Sequence, residues 1–441
     1  MTTIEQLAEH VSLSGGGLGA ALRDKIALHI MDTAAAWIAG ARAPEGKALT
    51  QFIALEAHDT ALMDRVMLHC ALARLSELDD IHLFSCTTPG AVVIPAALTL
   101  GAELQVPTSA IAEAILAGYE AMVRLGAALD GPSLLYRGIW PTYIAAPFAV
   151  AAVASRLLAL DAGRSAHALA LALTFASPGV GHPGGPKMAR WLALGHAARH
   201  GATAAFAAQA GFTADLALLD RDFFASVYAI SPRLPLLTRS LGSQFAIDEL
   251  SFKPWCAARQ TMAASQALKE MVAEGLAPSD ISGIAISVPP PYLRMVNHGV
   301  TLGDRASFLT SVSYQVAIGV LAPEAQFRIN PEGEIAADVR ELMAKVSVRA
   351  EERLLEHYPR NWPARVTVSA RSGEREKLML RVPGDPERPL GKQGISDKFS
   401  QVLLPLVGAT RAADLAASFL AALDVPANEL LGEIERACGS V

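Results

Sequence analysis

The first half of the chain follows an almost unbroken helical pattern. Apolar residues recur at three- and four-residue spacing through five alanine- and leucine-rich runs, at residues 24–39, 61–75, 108–128, 147–160 and 165–174. That spacing is typical of an α-helix with one buried face. Glycine- and proline-containing turns separate the runs. The pattern therefore predicts an all-helical region from about residue 20 to about residue 230.

The pattern changes near residue 250. Residues 281–288 (ISGIAISV) predict a strand, because β-branched residues fill the run and three prolines end it. Residues 365–370 and 377–382 alternate on either side of Ser372-Gly373, as the two strands of a hairpin do. Strands of this kind, mixed with helical runs, indicate an α+β region.

Helical character also appears between and after these strands, at residues 309–322, 338–344 and 399–438. A helical tail after an α+β stretch suggests that the smaller region is inserted into the larger one. We therefore predict a mainly α fold, with one large all-helical domain and an inserted smaller α+β lid domain. The expected domains are residues 1–250 with 395–441 for the helical part and residues 251–394 for the lid.

Composition and charge exclude several classes of protein. Hydrophobic residues make up 52% of the chain, so a large core can be buried. The net charge of -6 argues against a nucleic-acid-binding surface. The most apolar stretch, residues 143–159, contains Arg156 and is too short and interrupted to span a membrane. The first 14 residues carry Glu5 and Glu9 in place of the basic and apolar regions of a signal peptide. We therefore expect a cytoplasmic protein.

Metal and disulfide sites have little support in the sequence. The four cysteines show neither C-x-x-C spacing nor the density of a disulfide scaffold, so we expect reduced thiols and no iron–sulfur cluster. His196 and His200 have the i, i+4 spacing of metal ligands, but no glutamate or third ligand accompanies them. A solvated helix face explains this pair better, and we expect no metal.

The densest group of polar residues is the acidic segment, residues 77–82 (ELDDIH). Three carboxylates and a histidine beside a long apolar helix are costly to bury without a purpose. A polar turn ending in Pro89-Gly90 then leads into another apolar helix. The segment is either an acidic helix end on the surface or the floor of a pocket, and its residues alone do not decide between the two.

Two basic groups provide candidate anion contacts. Lys187 and Arg190 follow a Gly/Pro-rich loop at the predicted start of a helix, and Lys253 and Arg259 bracket Pro254-Trp255-Cys256. Helix starts favour anions, and lysine or arginine can hold carboxylates. A lysine in an apolar pocket can also have a lowered pKa and act as a base.

Taken in order, several segments resemble the MmgE/PrpD family, which includes 2-methylcitrate dehydratase, cis-aconitate decarboxylase and iminodisuccinate epimerase. The resemblance covers nearly the whole chain and rests on residues 32–40 (DTAAAWIAG), 77–82, 89–98, 140–142 (WPT), 195–201 (GHAARHG), 252–254 (FKP), 311–314 (SVSY), 384–386 (GDP) and 398–399. It implies the helical domain with its inserted lid and a site between them. It also implies a homodimer without metal or organic cofactor.

The departures from the family pattern concern its histidines. Arg74, Thr88 and Trp140 stand where the family has histidines, and a later histidine falls near residues 260–262. Glu77 replaces the first aspartate of the acidic run, and Arg190 replaces a lysine. The usual histidine acid–base set therefore cannot be transferred to this chain, which is similar to a divergent branch of the family.

The remaining groups define the candidate site. We expect proton transfer by Lys187, Tyr143, Lys253 and His82. We expect substrate contacts from the cationic, acidic and hydroxyl side chains of Arg74, Glu77, Asp79, Asp80, Thr88, Arg190, Arg259 and Tyr314. Abstraction of a proton α to a carboxylate needs a base within reach and cationic support for the charge that develops.

Three functions remain open at this point. The first is a lyase that dehydrates or decarboxylates a small di- or tricarboxylate after abstracting a proton α to a carboxylate. The second is a dicarboxylate epimerase or isomerase that uses a Lys–Tyr pair, with one group on each face of the substrate. The third is a carboxylate-binding protein that has lost catalysis, which the missing histidines suggest and the surviving lysines and Tyr143 oppose.

Overall fold

The structure is a computed structural model that describes residues 1–13, 17–56, 61–176, 188–330 and 334–439. Within these ranges the chain divides into two units. The first contains the described residues up to Ser251 and those from Gly391 onward, and the second contains Phe252–Leu390. The first unit is helical, and the second combines helices with a small sheet.

The N-terminal part of the first unit is a succession of helices. They are α1 (Thr3–Ser12), α2 (Ala20–Arg42), α3 (Pro44–Glu56), α4 (Leu62–Leu75), α5 (Gly90–Glu103), α6 (Thr108–Ala128), α7 (Gly131–Leu135), α8 (Pro141–Leu157), α9 (Ala162–Thr174), α10 (Ala189–Gln209), α11 (Phe223–Tyr228) and α12 (Pro235–Thr238). The prediction for residues 108–128 is confirmed at both ends. The run at 147–160 belongs to α8, which begins earlier because Pro141 suits the first turn of a helix.

Small residues allow these helices to pack closely. Gly40 of α2 lies directly against α4, where an added Cβ atom would stand 1.9 Å from the backbone oxygen of Leu72. Any larger residue would push the two helices apart. The alanine-rich faces of α6, α8 and α10 are buried in the same core. The first half of the chain therefore forms the helical core that its periodicity predicts.

The second unit contains a four-stranded sheet. Its helices are α13 (Arg259–Ala273), α14 (Leu293–Val296), α15 (Arg305–Thr310), α16 (Val312–Leu321) and α17 (Ala337–Ala344). Its strands are β1 (Ile281–Val288), β2 (Val346–Ala350), β3 (Ala364–Ala370) and β4 (Gly373–Met379), in the order β2-β1-β3-β4. Strands β1 and β2 are parallel, and the other neighbours are antiparallel. The predicted strand at 281–288 is confirmed, and α13 packs on β3 and β4.

Three details of this unit differ from the prediction. Ala370 pairs with Gly373, so the hairpin turn is Arg371-Ser372 and β4 begins four residues before the predicted position 377. The predicted helix at 309–322 is divided at Ser311, whose side chain caps α16 by accepting a hydrogen bond from the Tyr314 N–H. Strand β2 was not predicted, because a five-residue strand at a sheet edge has no long alternating pattern.

The chain returns to the first unit through three helices, α18 (Gly391–Val407), α19 (Ala409–Leu420) and α20 (Ala427–Cys438). Helix α18 packs against α2, and α20 packs against α2 and α5. No helix within the described ranges is both long and apolar enough to cross a membrane. The mainly helical fold with a smaller α+β part is therefore confirmed.

Candidate functional site

Arg74 lies at the end of α4 between two carboxylates of the acidic segment. Its Nη1 is 2.9 Å from Glu77 Oε1 and 3.2 Å from Asp79 Oδ1. Burial opposes its charge, but Asp79 and Glu77 together raise the pKa of Arg74 above its usual value. The guanidinium is therefore a fixed cation, whose Nε has no hydrogen-bond partner among the described residues.

The backbone at Glu77 brings these carboxylates to Arg74. Glu77 has a φ of 55°, a left-handed conformation that residues with side chains seldom adopt. This turn follows α4 directly and reverses the chain so that Glu77 and Asp79 both point at the helix they have just left. Uncommon backbone conformations of this kind collect at functional sites, because the surrounding structure must hold them.

Aromatic side chains support a second cation. The guanidinium of Arg190 lies 4.1 Å from the ring centre of Trp191 and 5.7 Å from that of Trp140. Arg74 lies 5.9 Å from the same Trp191 ring. Stacking on an indole face fixes the orientation of a guanidinium. Trp191 was not among the predicted site residues, because adjacent positions on a helix do not normally face each other.

Tyr143 completes this cluster. Its ring stacks on Trp140 at 5.5 Å, its side chain is only 1% exposed, and its hydroxyl has no hydrogen-bond partner among the described residues. Burial raises the pKa of Tyr143 to about 12, although Arg74 and Arg190 act in the opposite direction. Tyr143 is thus a neutral phenol at neutral pH, which can donate a proton or a hydrogen bond but is a poor base.

The Asp80 carboxylate is held by hydrogen-bonding groups of the first unit. Its carboxylate accepts a hydrogen bond from the Gly90 N–H at 2.7 Å and from the Tyr119 hydroxyl at 2.7 Å, and it lies 2.8 Å from His29 Nδ1. The contact to Gly90 satisfies the first turn of α5, where an anion is favourable. These contacts favour a structural role for Asp80. His29 and Tyr119 were not predicted, because only the fold brings them to this carboxylate.

His82 and Thr88 also have partners within the first unit. His82 lies 2.9 Å from Ser85 Oγ through Nδ1 and 3.2 Å from Glu249 Oε2 through Nε2. The hydrogen bond from His82 lowers the pKa of Glu249. The Thr88 N–H donates to Thr142 Oγ1 at 3.1 Å, which fixes the polar turn to the residue before Tyr143. The first unit therefore places the acidic segment and Thr88 around the beginning of α8.

Three predicted residues belong to the second unit. Lys253 and Arg259 are buried, and Arg259 Nη2 donates to both carboxylate oxygens of Asp385, at 2.8 and 2.9 Å. Tyr314 packs edge-on against Phe308 at 5.1 Å, and burial raises the pKa of its hydroxyl. The contact with Asp385 fixes this arginine through Nη2, whereas its Nε and Nη1 are buried without a hydrogen-bond partner among the described residues.

Gly384 fixes the segment that carries Lys253. Gly384 has a φ of 100°, and an added Cβ atom would stand 2.0 Å from the backbone oxygen of Phe252. The Phe252 N–H also donates to the Gly384 carbonyl at 2.9 Å. Only glycine permits this approach, so the chain is pinned one residue before Lys253.

Lys187 lies outside the residues that the structure describes, and its role stays a prediction. Within the described ranges, no group of three or more His, Cys, Asp or Glu residues is arranged to hold a metal ion. The expectation that the chain needs no metal likewise stays a prediction.

Comparison with known families gives one consistent result. The MmgE/PrpD N-terminal domain matches residues 5–233, and the MmgE/PrpD C-terminal domain matches residues 255–421. No curated protein sequence matches the chain. Because the N-terminal match alone covers more than half of the chain and the two matches follow each other in order, this protein belongs to the MmgE/PrpD family.

Proposed function

We propose that this protein is a cofactor-independent lyase that acts on a small di- or tricarboxylate by removing a proton α to a carboxylate. Members of the MmgE/PrpD family are generally lyases or isomerases, which supports a reaction of this kind. The observation that carries the proposal is the buried hydroxyl of Tyr143, which has no partner among the described residues and lies in a cluster with Arg74 and Arg190.

The phenol of Tyr143 suits the acid in such a reaction. Removal of the α proton moves an electron pair onto the neighbouring carboxylate, which then carries an additional negative charge. In a dehydration, that pair returns to form the carbon–carbon double bond while the β-hydroxyl leaves with a proton from Tyr143 as water. In a decarboxylation, the electron pair comes from the broken bond to CO₂ instead of from the α C–H bond, and the same phenol protonates the resulting carbanion. A phenol whose pKa is about 12 holds its proton until such a charge develops.

The two guanidiniums suit the stabilisation of that charge. Arg74 is fixed by Glu77 and Asp79, and Arg190 is fixed by Trp191. Donors that are already in place need no reorganisation when negative charge appears, and this pre-arrangement is a large part of electrostatic catalysis. The Nε of Arg74, which has no hydrogen-bond partner among the described residues, provides a donor for a substrate oxygen.

The base must be another group, because a neutral phenol cannot accept a proton near neutral pH. We assign this role to one of the two lysines that the sequence singles out, Lys187 or Lys253. Lys253 is 1% exposed, and it directly follows Phe252, whose backbone is pinned against Gly384. The amine takes the α proton and becomes an ammonium. The ammonium then gives that proton to solvent, and the Tyr143 phenolate regains a proton from solvent.

Exchange in D₂O tests this proposal and its alternatives. The protein is incubated with a panel of di- and tricarboxylates, and products are followed by NMR and mass spectrometry. Loss of water or CO₂ supports the lyase, solvent deuterium in an epimerised but intact substrate supports the epimerase, and binding without exchange supports a carboxylate-binding protein.

A matched pair of tyrosine variants locates the chemistry. Tyr143→Phe is expected to lower turnover by at least about 10²-fold, the low end for a general acid. Tyr292→Phe removes another buried hydroxyl, one that donates to the Pro363 carbonyl in the second unit, and should leave turnover unchanged. Equal rates for Tyr143→Phe and the wild type would remove Tyr143 from the mechanism.

A further inference from the structure

A cavity lies in the first unit, between α2, α3, α4 and α20. It has a volume of about 420 Å³, which is within the range of small-molecule sites. Lys47, Gln51 and Ala54 are exposed at its rim, so the cavity opens to solvent. None of its lining residues belongs to the candidate site described above.

The floor of this cavity is aromatic. Trp37 and His69 are 1% and 6% exposed, and their ring centres lie 4.5 Å apart. His69 is anchored through Nδ1, which lies 2.8 Å from Thr99 Oγ1. Its Nε2 lies 3.6 Å from Glu435 Oε1, a separation too long for a hydrogen bond, and burial lowers the pKa of His69 to about 3. The floor is therefore an indole and a neutral imidazole with one ring nitrogen on the cavity side.

The charged side chains at the cavity favour an anion. Lys47 and Arg42 line it, and Arg42 keeps a buried Nε without a partner in the described structure while its Nη2 donates to the Ala437 carbonyl at 2.9 Å. The acidic residue there, Glu435, is paired with Arg65 at 3.4 Å. The charge that remains at the cavity is positive, and the walls next to it are apolar, including Leu68 and Leu72.

We propose that this cavity binds a monocarboxylate with a compact aromatic or aliphatic body. The apolar body would lie on Trp37 and His69, and the carboxylate would lie toward Arg42 and Lys47. A phosphate or a small dicarboxylate fits less well, because it offers no apolar surface for the floor and adds charge near Glu435. One amphipathic anion satisfies both halves of the lining.

The cavity and the candidate site use different faces of the same helix. His69 and Arg74 are both on α4, and five residues of an α-helix correspond to a rotation of about 140°. A ligand in the cavity therefore does not compete for the Arg74 cluster. The proposal concerns binding only, so its outcome does not depend on the reaction assigned above.

Calorimetric titration with 2-naphthoate tests the site directly, with 2-naphthalenemethanol as the uncharged probe and succinate as the dicarboxylate. The wild-type protein should bind 2-naphthoate with a Kd of about 1 mM or tighter. The two other probes should bind at least about tenfold more weakly. The binding constant should not change between about pH 6 and pH 8, because a neutral His69 has no proton to gain or lose there.

Two variants place that binding in the cavity. Ala54→Trp puts a large side chain at the exposed rim, where folding tolerates it, and should weaken 2-naphthoate binding by at least about tenfold. Lys47→Met should weaken it by about threefold, whereas Lys392→Met, an exposed lysine of α18, should have no effect. The proposal is overturned if the wild-type protein shows no saturable binding, or if Ala54→Trp and Lys47→Met both bind like the wild type.

Discussion

Lys398 Nζ lies 2.5 Å from Asp32 Oδ1, although the two residues are 366 positions apart in the chain. The same side chain donates to the carbonyl of Leu78 at 2.9 Å. In the sequence, Leu78 stands between Glu77 and Asp79, the two residues whose carboxylates hold Arg74. Both members of the pair are buried, and burial raises the pKa of Asp32 while Lys398 acts against that rise. Helix α18, the first helix after the second unit, therefore fixes α2 and the backbone of the acidic segment at one point.

Removing the lysine of this pair should destabilise the protein strongly. Lys398→Met leaves Asp32 buried without its cation, which costs about 3–5 kcal/mol in comparable buried pairs. Lys392→Met on the same helix removes an exposed charge and should change the free energy of unfolding by less than about 0.5 kcal/mol. Urea-induced unfolding of both variants measures the difference. Adding Asp32→Asn to Lys398→Met should recover part of the loss, and equal stability of the two lysine variants would contradict the prediction.

The two buried tyrosines of the first unit should respond differently to loss of their hydroxyls. Tyr119→Phe removes a donor to the buried Asp80 carboxylate and should lower the free energy of unfolding by about 1–3 kcal/mol. Tyr143→Phe removes a hydroxyl that has no partner in the described structure, so unfolding should change by less than about 0.5 kcal/mol. Thermal unfolding of the pair checks this contrast. A large loss in Tyr143→Phe would show that its hydroxyl has a structural partner.

Periodicity was enough to predict the fold class, because most of it is local. The run at 108–128 and the strand at 281–288 are confirmed since each has a clear pattern and a clear stop. The predicted second strand of the hairpin begins too late. Strand β4 includes the charged residues 374–376, and a search for alternating apolar residues passes over them. Which strand pairs with β1 depends on contacts between distant residues, and no local pattern records them.

The candidate site was predictable only in part, for the same reason. The acidic segment and Arg74 are neighbours in sequence, and the structure shows them as ion-paired. Lys398, His29 and Tyr119 come from three other helices, and their contacts with Asp32 and Asp80 exist only in the folded chain. Asp32 did offer a signal, because it is the one charged residue in the apolar stretch 30–40.

The free energy of unfolding should decrease as the pH is lowered, because of the titration of His69. Its pKa is about 3 in the folded protein against a usual value of 6.5, so the unfolded chain binds a proton in this interval that the folded protein does not. The contribution of His69 to the free energy of unfolding is therefore complete above pH 6.5 and is lost as the pH falls toward 3. The free energy of unfolding changes over this interval by up to about 1.4 kcal/mol per pH unit.

A His69→Gln variant isolates this effect. Glutamine can still contact Thr99 but does not titrate, so the free energy of unfolding should vary less steeply below about pH 6.5. Unfolding midpoints measured across this range check the prediction, and an unchanged slope in His69→Gln would refute it.

Chelation should leave activity intact. The carboxylates of Glu77, Asp79 and Asp80 already contact Arg74, His29 or Tyr119, and these partners would compete with a metal ion for them. Turnover of the substrate found in the D₂O panel should be the same before and after exhaustive treatment with EDTA. A rate that falls with EDTA and returns with a divalent cation would point instead to a metal at Asp79, Asp80 and His82.

Replacement of the candidate base should abolish turnover without unfolding the protein. Lys253→Met keeps most of the apolar stem in its buried position, removes the amine, and should lower turnover by at least about 10²-fold. Lys187→Met receives the same test. Lys269→Met is the matched control, because Lys269 is a partly buried lysine of the second unit that lies 4.3 Å from the Trp255 ring and donates to Gln326 at 3.1 Å.

A Lys253→Ala enzyme that regains rate on addition of methylamine would identify the missing amine as the proton acceptor, since a purely structural lysine would not be replaced by a diffusing base. Near-normal turnover in Lys253→Met, with unchanged unfolding, would exclude Lys253 and leave Lys187 as the base to be tested.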